Sequence, residues 1–432
     1  MFDLFFSYVY RFLHKYLGVR RPLSPQEKTL AWMFSLYDFN YALSAVFVNV
    51  FLFKRDQDFN VVGLFNLVQF GVIAPAFWVG GHLSKRFGNL VSYQLGFFFN
   101  ALVFATALIL RENAPDHPCL LGLLGGLGIG FYFLGEHSLT LEMTTEKTRD
   151  YFLSLTTFFS SVLCILGPAL AGWLIVVLGS SGPGVSRGTS SLMGYYIVFA
   201  IALVLYLVLA YKSFQFHSKP THKGFYFWKV LTFKNNWDWN RLMGAQFLLG
   251  LRNGVFWFVV PLLVYRYSIN EAMVGNYSML VNFLAVLISY ALSLWAKAGN
   301  RWRGVWISSW ILGLAFLGLF LKVNYFTFIL YGTCAAIGGT WLQIVYGAFS
   351  FTVLENAKEA KTKRIEYLAT RELPLGLGRV FSLLLFMFAL NSFGELGLRI
   401  VLLVLGFAHM GIFLLLSKNK YGENLTLKAK KS

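Results

Sequence analysis

Acidic side chains are scarce in this chain: 19 aspartates and glutamates stand against 37 lysines and arginines, and charged residues of either sign make up only 13% of 432 positions. With 57% hydrophobic residues and a mean hydropathy of +0.60, a water-soluble domain would leave too much apolar surface uncovered. Cysteine is scarcer still. Cys119, Cys164 and Cys334 are an odd number at or within apolar runs, which argues against a disulfide framework and against a metal site. No phosphate-binding loop occurs, so nucleotide-driven transport is not expected. The glycine-rich "GLLGGLGIG" (Gly122–Gly130) lies inside an apolar run with no strand before it, where glycines suit close helix packing. No Ser-His-Asp constellation stands out, and neither an enzyme nor a cofactor is expected. The excess of positive charge is scattered over short loops rather than gathered in a patch, so it speaks for membrane lipid headgroups and against a nucleic-acid partner.

What is abundant is apolar sequence in runs of about 20 residues, the length a helix needs to cross the hydrocarbon of a bilayer. Twelve spans are expected, at 30–53, 60–80, 90–110, 119–142, 151–179, 191–211, 240–265, 272–295, 304–322, 325–354, 374–391 and 396–416. By about four to one, lysines and arginines fall on the segments that share a side with the N-terminus, which predicts a multi-pass protein of the cell membrane with both termini cytoplasmic. The start, "MFDLFFSYVYRFLHKYLG", puts Phe2, Phe5, Phe6, Val9, Phe12 and Leu13 on one helical face and reads as an interfacial helix. The chain thus divides into an N-terminal interfacial helix and linker (1–29), a six-span bundle (30–211), a central cytoplasmic loop (212–239), a second six-span bundle (240–416) and a cytoplasmic tail (417–432).

The two bundles carry traces of duplication. At offsets of about 211 to 216, "LSKRFGN" (Leu83–Asn89) aligns with "LWAKAGN" (Leu294–Asn300), Asn40 falls opposite Arg252, and "RDYFL" (Arg149–Leu153) faces "RIEYL" (Arg364–Leu368). The stretch Gly81-His82-Leu83-Ser84-Lys85-Arg86-Phe87-Gly88 resembles the loop between spans 2 and 3 of the major facilitator superfamily, whose pattern is roughly G-x-L-x-D-R-x-G: Gly81, Leu83, Arg86 and Gly88 match, and Lys85 stands at the aspartate position. "EYLATRELPLGLGR" (Glu366–Arg379) is similar to a segment of a poorly characterised bacterial branch of that superfamily. The resemblance implies an all-α integral membrane protein of twelve transmembrane helices in two pseudo-symmetric six-helix bundles. It also implies that the loop aspartate leans on the positive N-terminal end of span 11 to hold the cytoplasmic gate closed. A lysine there is repelled by that helix end. Lys85 or Arg86 is therefore expected to meet Glu366 or Glu372, at the start of span 11, when the cytoplasmic side closes.

Ionisable groups inside spans are costly and face a polar cavity or each other. Asp38 falls in span 1, Glu136 and His137 in span 4, Arg252 in span 7 and Arg379 in span 11. The resemblance implies that spans 1, 4, 7 and 10 line the pathway. Glu136 is the leading proton site, with Arg252 as counter-charge or as ligand for an anionic substrate. Asp38, near the inner third of its span, suits a gate pairing as well as coupling, and Arg371 is expected at the headgroups. Asn40, Asn253 and Gln343 are amide candidates for the pathway, although most such amides serve as packing contacts. Aromatic clusters on the same helices point to an amphipathic or lipophilic solute. The main expectation is a monomeric, proton-coupled secondary transporter, an exporter in one reading. A lipid or glycolipid flippase, and a non-transporting sensor or scaffold favoured by the lost aspartate, stay open beside it.

Overall fold

The structure is a computed structural model that describes residues 23–145, 148–180, 192–218, 220, 224–231, 237–295, 301–321, 324–355 and 363–417. The expected interfacial helix, the tail and most of the 294–300 stretch lie outside the described residues.

The described residues fold into long apolar helices: α1 (Pro25–Lys54), α2 (Phe59–Phe87), α3 (Asn89–Leu110), α4 (Pro118–Met143), α5 (Arg149–Ser180), α6 (Met193–Ser213), α7 (Trp237–Ser268), α8 (Glu271–Trp295), α9 (Arg301–Leu321), α10 (Tyr325–Glu355), α11 (Arg364–Gly406) and α12 (Ala408–Ser417). The apolar run Ile365–Leu415 holds 51 residues, about 77 Å of helix and too long for one crossing. Gly394, at φ +59° and ψ −140°, breaks it, so α11 before the break is the eleventh crossing and the remainder with α12 is the twelfth. All twelve expected spans have a counterpart, and several helices extend beyond the expected limits. α1 begins at Pro25, where Ser24 and Glu27 form a reciprocal capping box with the proline at the first helical position. α11 begins ten residues before the expected start, because the segment 364–373 is polar on a face that is covered by protein.

The packing is two-fold related by a shift of six helices. In the first half α1 packs on α5 and α6, α2 on α4, and α3 on α4 and α6. In the second, α7 packs on α11 and α12, α8 on α10, and α9 on α10 and α12. The halves meet along α2 with α11 and along α5 with α8, two seams that exchange under the same shift. The glycines of α4 are used for close approach. A Cβ on Gly126 would lie 2.5 Å from the Gln69 carbonyl oxygen of α2, and one on Gly135 would lie 2.6 Å from the Tyr93 backbone of α3. Several amides are packing contacts as well, such as Asn66, which donates to Asn49 Oδ1 at 2.7 Å.

Candidate functional site

At the end of the molecule where α2 stops and α11 starts, two charged side chains meet across the halves. Gly88, at φ +102°, ends α2 and lets α3 begin one residue later. Lys85 thereby sits in the last turn of α2, pointing at α11, and its Nζ lies 3.2 Å from Glu366 Oε1. The side chains are 9% and 1% exposed. Each suits its helix end, the ammonium at the negative C-terminal end of α2 and the carboxylate in the first turn of α11. Arg86 is exposed and rests on the Phe87 ring. Glu372 lies two turns further in, within electrostatic reach of Tyr346 and Arg379. Of the four combinations open from the sequence, the structure brings together Lys85 with Glu366.

The segment between the halves is built into this end. Ser218 donates to Glu142 of α4 at 2.7 Å and accepts the Asn89 backbone N–H at 2.9 Å. Phe225 lies so close to Gly81 that any Cβ there would collide with its ring. The Tyr226 backbone N–H points at Glu366 Oε1 from 3.5 Å. Leu83 is half-buried beside these contacts.

At the opposite end lies a second inter-half pair that sequence reasoning missed. Lys54, in the last turn of α1, is 2.8 Å from Oε1 of Glu271, the first residue of α8, and the Tyr195 hydroxyl of α6 donates to the same oxygen at 2.9 Å. By position in the chain both are ordinary loop charges. The available signal was a lone acid opening a span directly after Asn270, whose side chain caps the helix by accepting the Ala272 N–H.

Between the two ends, the first half contributes acids and the second contributes bases. Asp38 lies 13 residues into α1, about 20 Å from its start, so it sits mid-helix rather than in the inner third of a shorter span. Its Oδ2 accepts from the Ser160 hydroxyl of α5 at 2.5 Å. The expected Glu136–Arg252 counter-charge pair is not formed among the described residues, and the charged group within electrostatic reach of Glu136 of α4 is Asp38. Arg252 faces Tyr277 and Tyr331 and rests over Phe256. Arg371 lies seven residues into α11, half-buried and within electrostatic reach of His137. Arg379 lies over the Phe70 ring of α2, at 5.1 Å, and within reach of Tyr41. Asn253 is half-buried beside Arg252, and Gln343 is exposed on α10. Asn40 is fully buried and donates to the Ala202 carbonyl of α6 at 3.0 Å, a contact between helices.

Known proteins resemble this chain in sequence or in fold. The Bacillus subtilis (strain 168) protein YqgE, described as uncharacterized, is 30% identical over 399 residues, which is 91% of this chain and 90% of that protein. A bacterial homologue of the human drug peptide transporters PepT1 and PepT2 superposes with a TM-score of 0.66 at 14% identity, covering 94% of this chain and 99% of its own. The E. coli fucose:proton symporter FucP gives 0.60 at 15% identity, covering 89% and 97%. At these identities the two structures speak for the fold. The sequence profile of the Major Facilitator Superfamily matches residues 23–233. With twelve crossings in two related halves, that profile and a relative along nearly its whole length, the chain belongs to the Major Facilitator Superfamily of secondary transporters.

Proposed function

We propose that the chain moves a small amphipathic solute across the cell membrane by alternating access, with the Lys85 end and both termini in the cytoplasm. The observation that carries this reading is the presence of two buried lysine–glutamate pairs that join the halves at opposite ends, Lys85–Glu366 and Lys54–Glu271. Alternation requires a releasable seal at each end. A pair between a helix C-terminal lysine and a helix N-terminal glutamate is such a seal, since each partner keeps a favourable helix end to face when the pair parts. Lys85 at the motif's aspartate position no longer argues for a sensor that has stopped cycling, because α11 supplies the acid that the loop lacks. The orientation rests on the distribution of lysine and arginine over the loops. Protons drive the cycle in this reading, through Glu136 and its neighbour Asp38.

The test uses a chain with its three cysteines replaced by serine and a single Gln343→Cys on α10, reconstituted in liposomes. Glu366→Gln should speed labelling of that cysteine from the cytoplasmic side and Glu271→Gln should slow it, while Lys85→Glu with Glu366→Lys returns the rate to that of the parent. Equal labelling rates in all four proteins would remove the alternating-seal reading. Proton coupling is tested separately. Glu136→Gln should abolish uptake driven by a pH gradient and leave solute exchange without a gradient intact, and gradient-driven uptake in that variant rules out coupling at Glu136.

A further inference from the structure

The interior charges do not neutralise each other across the pathway. On the first half's wall, Asp38 is the charged group within electrostatic reach of Glu136. On the second half's wall stand Arg252, Arg371 and Arg379, with Glu372 offsetting part of that charge. The walls face each other: Tyr41, one turn along α1 from Asp38, meets the Trp257 ring of α7, Arg379 lies over the Phe70 ring of α2, and Arg371 is within electrostatic reach of His137, next to Glu136. Yet among the described residues none of these carboxylates forms an ion pair with any of the guanidinium groups. The Arg252 guanidinium donates to the Tyr331 hydroxyl, yet its Nε and that of Arg371 are buried without a hydrogen-bond partner. Opposite charges separated in a low-dielectric interior gain by collapsing onto one another, and a buried donor without an acceptor is costly. An arrangement that forgoes both gains is organised for a third body that carries both charges.

We infer that the transported solute is a zwitterion, whose cationic group lies against Asp38 and Glu136 and whose anionic group lies against the arginines of α7 and α11. An apolar body between the two groups would meet Tyr41 and Trp257, whose rings face each other across the halves at 6.4 Å. This rests on the transport reading and names the chemistry of its substrate. Two sources supply such chemistry: a free amino acid or peptide-like solute, and a lipid headgroup with an ammonium and a phosphate.

The experiment measures thermal unfolding of the purified full-length chain with phenylalanine, N-acetylphenylalanine, which keeps only the anion, and phenylalaninamide, which keeps only the cation. A second arm follows labelled phosphatidylethanolamine and labelled phosphatidylglycerol between the leaflets of liposomes containing the protein. For a free solute, phenylalanine raises the unfolding temperature and each singly charged derivative binds at least about tenfold more weakly, the loss expected for one charged hydrogen bond. Glu136→Gln then brings N-acetylphenylalanine level with phenylalanine, and Arg379→Gln does the same for phenylalaninamide. Glu136→Asp and Arg379→Lys, which keep the charges, retain the parent's preference and separate recognition from folding defects. For a headgroup, phosphatidylethanolamine moves faster than phosphatidylglycerol, and the two charge-removing variants abolish the difference. The inference is overturned if a singly charged derivative binds the parent as tightly as phenylalanine, or if neither arm discriminates. Zwitterion binding in a chain whose cysteine labelling ignores both seals would leave the ligand class standing and remove transport.

Discussion

The two ends of the molecule join the same two halves with the same pair of residue types, but they satisfy the carboxylate differently. Glu271 receives Lys54 and the Tyr195 hydroxyl on one oxygen, both at full hydrogen-bond distance. Glu366 receives Lys85 at 3.2 Å and a backbone N–H at the limit of contact, and its second oxygen is buried with no partner. Lys85 is also the deeper of the two lysines, 9% exposed at the side chain against 15% for Lys54. The Lys85 end is therefore held by longer bonds but punished more when its pair is broken by mutation, since its ammonium is the more deeply buried of the two.

Removal of each partner measures this difference. Glu366→Ala leaves Lys85 buried without a counter-charge and should have the largest effect, a loss of about 3–5 kcal/mol read from thermal or denaturant unfolding in detergent. Lys85→Met combined with Glu366→Leu should return that stability and still fail to seal the end, because an apolar pair of similar volume has no desolvation cost to overcome. Glu271→Ala should cost less than Glu366→Ala, because Lys54 can carry its ammonium along a flexible stem to the interface. A larger loss for Glu271→Ala would invert the comparison. Tyr195→Phe removes one of the two bonds on Glu271 and should cost about 0.5–1.5 kcal/mol, with no counterpart at the other end. Arg86→Ala, at an exposed neighbour of Lys85, should change stability by less than about 0.5 kcal/mol. A larger effect would show that the wrong one of the two adjacent cations has been placed in the seal.

Part of the site is legible in the order of residues alone. Lys85 in a position that faces a helix N-terminus creates an electrostatic conflict, and the conflict points to an acid at the start of span 11. Which acid it is depends on where α11 begins. The hydrophobic run starts near 374, but the helix starts at Arg364, which puts Glu366 in the first turn, with Arg371 and Glu372 farther along the helix. The same effect places Asp38 in the middle of α1. Asn40 and Asp38 lie two residues apart in the sequence, yet one faces α6 and the other α5, a distinction made by helix rotation. Lys54 and Glu271 are 217 residues apart and share no motif.

The order of apolar and charged residues was enough to establish twelve crossings, their division into two related sets and the scarcity of interior charge, because each crossing must satisfy its own backbone within a single helix and needs no information from the rest of the chain. Side-chain partnerships depend on the rotation and exact extent of helices packed against one another, and these come from contacts between distant segments. The nearness of Asp38 to Glu136, the burial of Asn40 and the two seals of unequal geometry are therefore properties of the assembled bundle.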